Sequence, residues 1–134
     1  MIIGIGNDLC NISRIEKILE KNPDGLLRRL FSPLEMQYFE KRNFQSISQQ
    51  AAYIAKRFAG KEACAKAIGT GFAEGVLWKD IQIVSEGSGK PKLLIEGNSL
   101  KTLQLKHKMD NFIFHISLSD DYPWAQAFVI IETN

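Results

Sequence analysis

Hydrophobic and polar positions along the 134-residue chain follow two periods in turn. A β-branched run opens it: Ile2, Ile3 and Ile5, broken by Gly4 and Gly6. This predicts a buried strand that ends near Gly6, with Asp8 at its exit. Ser13, with Glu16 three residues on, predicts an N-cap and capping box for a helix reaching about Lys21, stopped at Asn22-Pro23-Asp24-Gly25. The segment Leu26 to Phe31 follows. Ser32-Pro33-Leu34-Glu35 starts another helix, with Ser32 as N-cap and Pro33 at the first helical position. A polar stretch from Asn43 to Gln50 leads into a long helix, about Gln49 to Ile68. Ile54, Phe58, Ala59, Ala63, Cys64, Ala67 and Ile68 make it apolar nearly all round, so it is mostly buried. Gly69-Thr70-Gly71 closes it.

The second half alternates with a period of two. Strands are expected over Lys79 to Val84 and Lys92 to Glu96, joined by the turn cluster Ser85 to Pro91. Leu100, Leu103 and Leu105 predict a helix from Ser99 to Lys108. Strands follow over Asn111 to Ser119 and Trp124 to Glu132. On the first of these, Phe112, Phe114, Ile116 and Leu118 share one face, and Ile113, His115, Ser117 and Ser119 the other. That second face suits plain exposure or the floor of a polar ligand site. The class expected is α+β, a mainly antiparallel sheet packed against a long buried helix, in a single domain spanning 1–134.

Charge adds an asymmetry. Residues 1–66 hold 11 Lys and Arg against 7 Asp and Glu, and residues 67–134 hold 6 against 8. A mildly basic first half suits an acidic partner or a phosphate-rich ligand, without the basic–aromatic pattern of a nucleic-acid binder. Cys10 and Cys64 stand alone in apolar surroundings, outside any zinc-ligand spacing. Met1-Ile-Ile-Gly-Ile-Gly lacks the basic region and long apolar core of a signal peptide. No apolar run approaches the roughly 20 residues of a membrane span. A cytoplasmic protein with neither nucleic-acid nor membrane partners is expected. A chain this short also favours a site shared between subunits.

Glu62 is the residue an ordinary core helix would not hold. A buried carboxylate calls for a cation beside it, or it takes up a proton. Lys66, at i+4 in the favourable order, is one candidate; a bound metal is the other. Advancing about 100° per residue sets Lys66 beside Glu62 and turns Arg57 and Lys61 to another side.

These pieces together resemble the holo-acyl-carrier-protein synthase family of 4′-phosphopantetheinyl transferases, in its short trimeric type. Gly4-Ile-Gly-Asn-Asp-Leu9 is similar to the family's G-I-G-x-D-[IVL] motif. Arg57-Phe-Ala-Gly-Lys-Glu-Ala63 with Lys66-Ala-Ile-Gly-Thr-Gly71 resembles its R-F-A-x-K-E-A signature and the G-T-G that follows. Gly89-Lys-Pro91 resembles its G-K-P turn, and His115-Ile-Ser-Leu-Ser119 its closing strand pair. The resemblance spans the chain in order, and the block from Arg57 to Gly71 is its most specific part. It implies the 4′-phosphopantetheinyl transferase fold and transfer of the phosphopantetheine arm of coenzyme A to a serine of apo acyl carrier protein, releasing 3′,5′-ADP. Magnesium would be held by Asp8 and Glu62. Glu62, directly or through a water on the metal, is the candidate base; Asp8 is the second, and Lys66 completes the catalytic group.

Coenzyme A would then meet Arg57, Lys61, Lys66, Gly69, Gly71, Lys90, Pro91, His115 and Ser117. The family forms homotrimers with sites between subunits, so Arg57 would serve a neighbour's coenzyme A. The family's carrier is acidic and docks on the first helix, where Arg14, Ile18, Lys21, Arg28 and Arg29 are available. Asp120 departs from the pattern, standing where many members carry a nucleotide-directed His. Two other readings remain beside this one: a binding module for coenzyme A or carrier that has lost turnover, and a metal-independent nucleotide binder.

Overall fold

A computed structural model describes all residues, 1–134. Ten regular elements and one 3-10 turn follow in order: β1 (Ile2–Asn11), α1 (Ile12–Lys21), α2 (Pro23–Leu30), α3 (Pro33–Glu40), α4 (Ile47–Ile68), the turn Trp78–Asp80, β2 (Ile81–Ser85), β3 (Pro91–Ile95), α5 (Gly97–His107), β4 (Ile113–Asp121) and β5 (Trp124–Glu132). The α+β class with antiparallel pairing is as expected. The strands divide, however, into a three-stranded sheet ordered β1-β5-β4 and a separate β2-β3 hairpin. No helix is long and apolar enough to cross a membrane.

Helix α4 runs through the middle of a core of 27 buried residues. Its apolar character on every side follows from its neighbours: β1 and β5 on one face, α1 on another, and β2 and β4 on a third. Gly60 faces the side chains of Ile83, Ile116 and Leu118. Ala63 and Ala67 face β1. There the strand meets the helix through glycines: a methyl group built on Gly4 would overlap the carbonyl oxygen of Ala67, and one on Gly6 that of Ala63. Only hydrogen at those positions lets the two backbones come so close.

This corrects the reading of the opening strand. It continues past Gly6 to Asn11, and Asp8 lies within it, paired with Ala127 of β5. Its glycine face is turned inward. Ile2 and Ile5 are more than half exposed on the other side, with Leu9 beside them.

Caps differ where several polar residues compete. Asn11, not Ser13, caps α1, accepting from the Ser13 backbone N–H at 2.9 Å and from its hydroxyl at 2.7 Å. Glu16 instead accepts from the Tyr122 hydroxyl. Asn22-Pro23 ends α1 and at once begins α2, with Asn22 as its cap and Pro23 in the first turn. The capping box at Ser32 and Glu35 is formed as expected, and Gly69, at φ 99°, closes α4. Gly6→Ala is expected to cost on the order of 1–3 kcal/mol or more, the penalty of overpacking where the obstacle is backbone. Denaturant unfolding checks this, and a variant as stable as wild type would contradict the close approach.

Candidate active site

Because β1 turns its glycine face to α4, the next residue on that face, Asp8, is presented to the same helix. Glu62 and Lys66 stand there. Lys66 Nζ donates to Asp8 Oδ1 at 2.9 Å and to the Asn7 carbonyl at 3.1 Å. Glu62 takes part in no ion pair within 4.0 Å; the salt bridges lie elsewhere. The i+4 lysine therefore serves the strand carboxylate rather than Glu62. Burial holds the Glu62 carboxyl above the ordinary glutamate range, Asp8 pushes it further up, and Lys66 offsets this in part. Burial pushes the Cys10 thiol up to about 11; Arg14 of α1 offsets this in part, and Asp8 and Glu62 add to it. Such a thiol is inert at neutral pH.

The geometry thus gives Asp8 an ion-pair partner in Lys66 and leaves Glu62 with none within 4.0 Å. No cluster of three or more His, Cys, Asp or Glu side chains is built to hold a metal alone. Two carboxylates are nonetheless the donor set with which Mg²⁺ is commonly held, the rest of its shell coming from phosphates and water.

The other expected site residues fall into separate places. Arg57 is buried against the Tyr53 ring, its Cζ 3.5 Å from the centroid, with Arg42 at 5.1 Å from the same ring. Its Nε has no partner. Burial lowers the Arg57 pKa, and Arg42 adds to this. Lys90, Pro91 and His115 line one cleft of about 460 Å³ between the β2-β3 turn and β4. His115 Nε2 lies 2.7 Å from Glu132 Oε1. His115 and Ser117 occupy the outer face of the sheet, opposite the face that carries Asp8. Within one chain these groups do not converge on the carboxylate pair. Gly69 and Gly71 both have positive φ; the side chain of Lys106 lies against Gly69, and the space at Gly71 is open. Asp120 is held by Lys56 Nζ at 3.0 Å.

Lys61 is the clear correction. It is wholly buried and donates to Glu35 Oε1 at 2.6 Å, Trp78 O at 2.9 Å and Ile81 O at 2.5 Å. All three of its protons are used, so it is not among the phosphate-directed cations.

On the α1 side, Arg14, Ile18 and Arg29 line a cleft of about 210 Å³ with Leu26, Leu30, Phe58 and Trp78. Ile15 is core, and Ile18 is exposed. Lys21 lies exposed at the end of α1. Arg28 borders a neighbouring cleft with Asp24, Phe31 and Lys79. Trp78 stacks on Phe72 and Phe58, at 3.7 and 5.1 Å between centroids, as an aromatic wall. In the sequence Phe58 is one of the apolar positions of the long helix, and Phe72 and Trp78 lie in no periodic pattern that would join them to it.

A short antiparallel sheet packed on a buried helix, with a carboxylate pair where they meet, is an α+β fold, and comparison with known proteins specifies it. Residues 4–127 match the model of the 4′-phosphopantetheinyl transferase superfamily. The holo-[acyl-carrier-protein] synthase of Brucella ovis is 49% identical over 133 residues, covering 98% of this chain and 96% of that one. The crystal structure of the synthase from Neisseria meningitidis superposes with a TM-score of 0.81 at 32% identity, covering 99% of this chain and all of that chain. That from Bacillus anthracis, in complex with CoA (3′,5′-ADP), gives 0.76 at 30% identity, covering 100% and 99%. The chain belongs to the 4′-phosphopantetheinyl transferase superfamily, and within it to the holo-[acyl-carrier-protein] synthases.

The raised Glu62 pKa has a signed consequence. A carboxyl whose folded pKa lies above its unfolded value contributes stability below the unfolded value and loses it as pH rises through the folded one. Without divalent cations, Glu62→Gln is therefore expected to melt above wild type at pH 7–8, with the gap closing towards pH 4. Thermal melts across that range check this; a variant that melts lower at neutral pH would instead mean that Glu62 is the partner of Lys66.

Proposed function

We propose that this enzyme transfers the 4′-phosphopantetheine arm of coenzyme A to a serine of apo acyl carrier protein, in a Mg²⁺-dependent reaction at Asp8 and Glu62. The observation that carries this is the pairing of two carboxylates at the β1–α4 contact, with Glu62 left short of a cation. Asp8 and Glu62 would hold Mg²⁺, which supplies charge neutralisation for a pyrophosphate. The serine oxygen forms a bond to the β-phosphorus as the bond from that phosphorus to the bridging oxygen breaks. The electron pair leaves with the 5′-phosphate of 3′,5′-ADP. A serine hydroxyl needs a base, and Glu62 is proposed to take its proton. Lys66, anchored on Asp8 and half exposed, reaches towards the phosphates. Arg57 is proposed for the nucleotide end, by analogy with the motif it opens, although its Nε is buried in the single chain. Lys90, Pro91, His115 and Ser117 are proposed to line the rest of the nucleotide groove, with Gly69 and Gly71 close to the arm. The carrier is proposed to dock on Arg14, Ile18 and Arg29, with Lys21 and Arg28 at the rim.

Two features support a homotrimer. The outer face of the three-stranded sheet exposes Ile5, Leu9, Ile113, Trp124 and Phe128, an apolar surface of the kind that marks an interface. His115 and Ser117 share that face, so the nucleotide residues of one chain would serve the carboxylate pair of another.

Mass spectrometry of apo carrier incubated with coenzyme A and Mg²⁺ is expected to register the gain of one phosphopantetheine. Asp8→Asn and Glu62→Gln should each cut the rate by about 10²-fold or more, and near wild-type transfer by Glu62→Gln would remove its role. Mixing inactive Arg57→Ala with inactive Glu62→Gln, followed by subunit exchange, should restore part of the activity. A fully active monomer in light scattering would contradict the shared site.

A further inference from the structure

We propose that the buried Lys61–Glu35 pair is a positioning device for the reaction, fixing the Trp78 wall of the cleft on which acyl carrier protein is seated. The proposal rests on the docking reading above and extends it to two residues that touch no substrate.

The pair is fully enclosed, at 0% and 2% side-chain exposure, and fully used. Lys61 binds Glu35 and the carbonyls of Trp78 and Ile81. Glu35 Oε1 also accepts from the Ser32 backbone N–H, and Oε2 from the Ile83 N–H, both at 3.1 Å. Ser32 Oγ donates to Gln82 Oε1 at 2.6 Å. One ion pair therefore ties α4 to the start of α3, to the turn Trp78–Asp80 and to β2.

Stability alone does not call for such an arrangement. Desolvating two charges costs several kcal/mol per ion, and well-packed apolar side chains in their place are often as stable or more so. An apolar pair could fill the space. It could not hold two carbonyls and two N–H groups of three different elements in one geometry.

What is held is the wall of the cleft. With its carbonyl fixed by Lys61, Trp78 lies with its ring on Phe72 and Phe58, and Phe58 and Trp78 form the side of the cleft facing Arg14, Ile18 and Arg29. The same turn is anchored on its other flank by α5: Leu77 N–H donates to Ser99 Oγ, and Ser99 donates to Asp80 Oδ2 through both its N–H and its hydroxyl. The turn is thus clamped on both sides, and Lys61, adjacent to Glu62 on α4, ties the position of the wall to that of the carboxylate.

The test uses Lys61→Met and the near-isosteric Glu35→Gln in the full chain, with KM for each substrate measured per folded enzyme. The KM for carrier is expected to rise about tenfold or more while that for coenzyme A stays within about twofold. In a Trp124→Phe background, Trp78 emission should shift to the red and become more open to acrylamide quenching. Unchanged emission, or KM values that move together or not at all, would overturn the proposal. Trp78→Leu leaves the pair intact and should reproduce the carrier-selective rise; an unmoved carrier KM there overturns the proposal whether or not the pair variants fold. Wild-type protein that transfers nothing would count against the proposed function. Wild-type transfer with carrier KM untouched in the variants would count only against the positioning role.

Discussion

Everything at the candidate site depends on the backbone contact between β1 and α4. Gly4 and Gly6 bring the strand against the carbonyls of Ala67 and Ala63, nearer than any side chain would allow. With the strand seated there, alternation turns Asp8 towards the helix and Ile5 and Leu9 away from it. The helical repeat then sets Glu62 and Lys66 opposite Asp8. The juxtaposition of these side chains is thus a consequence of two missing ones.

The protein manages its buried charge in two contrasting ways. Around Lys61 and Glu35 every donor and acceptor is matched, and burial still pulls the lysine below its ordinary pKa. Around Asp8 and Glu62 the matching is incomplete: Lys66 satisfies one carboxylate and the other is left with a raised pKa. The matched pair suits a fixed scaffold. The unmatched one suits a place where a cation and phosphates complete the charge balance.

Most of the fold was legible because its elements obey period and punctuation. Ser32-Pro33 with Glu35, the run into Gly69 and the alternation from Phe112 to Leu118 all appear as read. The opening strand was misjudged because β-branched residues suggest burial, whereas here the glycines mark the buried face. Asp8 and Glu62 are proposed from an acidic residue in an apolar helix together with the motif resemblance, and the structure brings both residues to the β1–α4 contact. Lys61 was misplaced because a lysine on a helix suggests solvent, and its partner Glu35 was already explained by the capping box. A second role for a residue with a sufficient local one leaves no trace in sequence spacing. The same holds for Trp78 and Phe58, whose meeting depends on how the Trp78–Asp80 turn folds back on α4.

The central claim is that burial, with Asp8 adding to it, raises the pKa of Glu62 at the β1–α4 contact and that a divalent cation lowers it. Carbon-13 NMR titration of the Glu62 carboxyl in metal-free protein measures this directly. The expected result is a pKa above the ordinary glutamate range that falls both in Asp8→Asn and on addition of Mg²⁺ with 3′,5′-ADP. An ordinary pKa, indifferent to Asp8 and to the cation, would contradict the account.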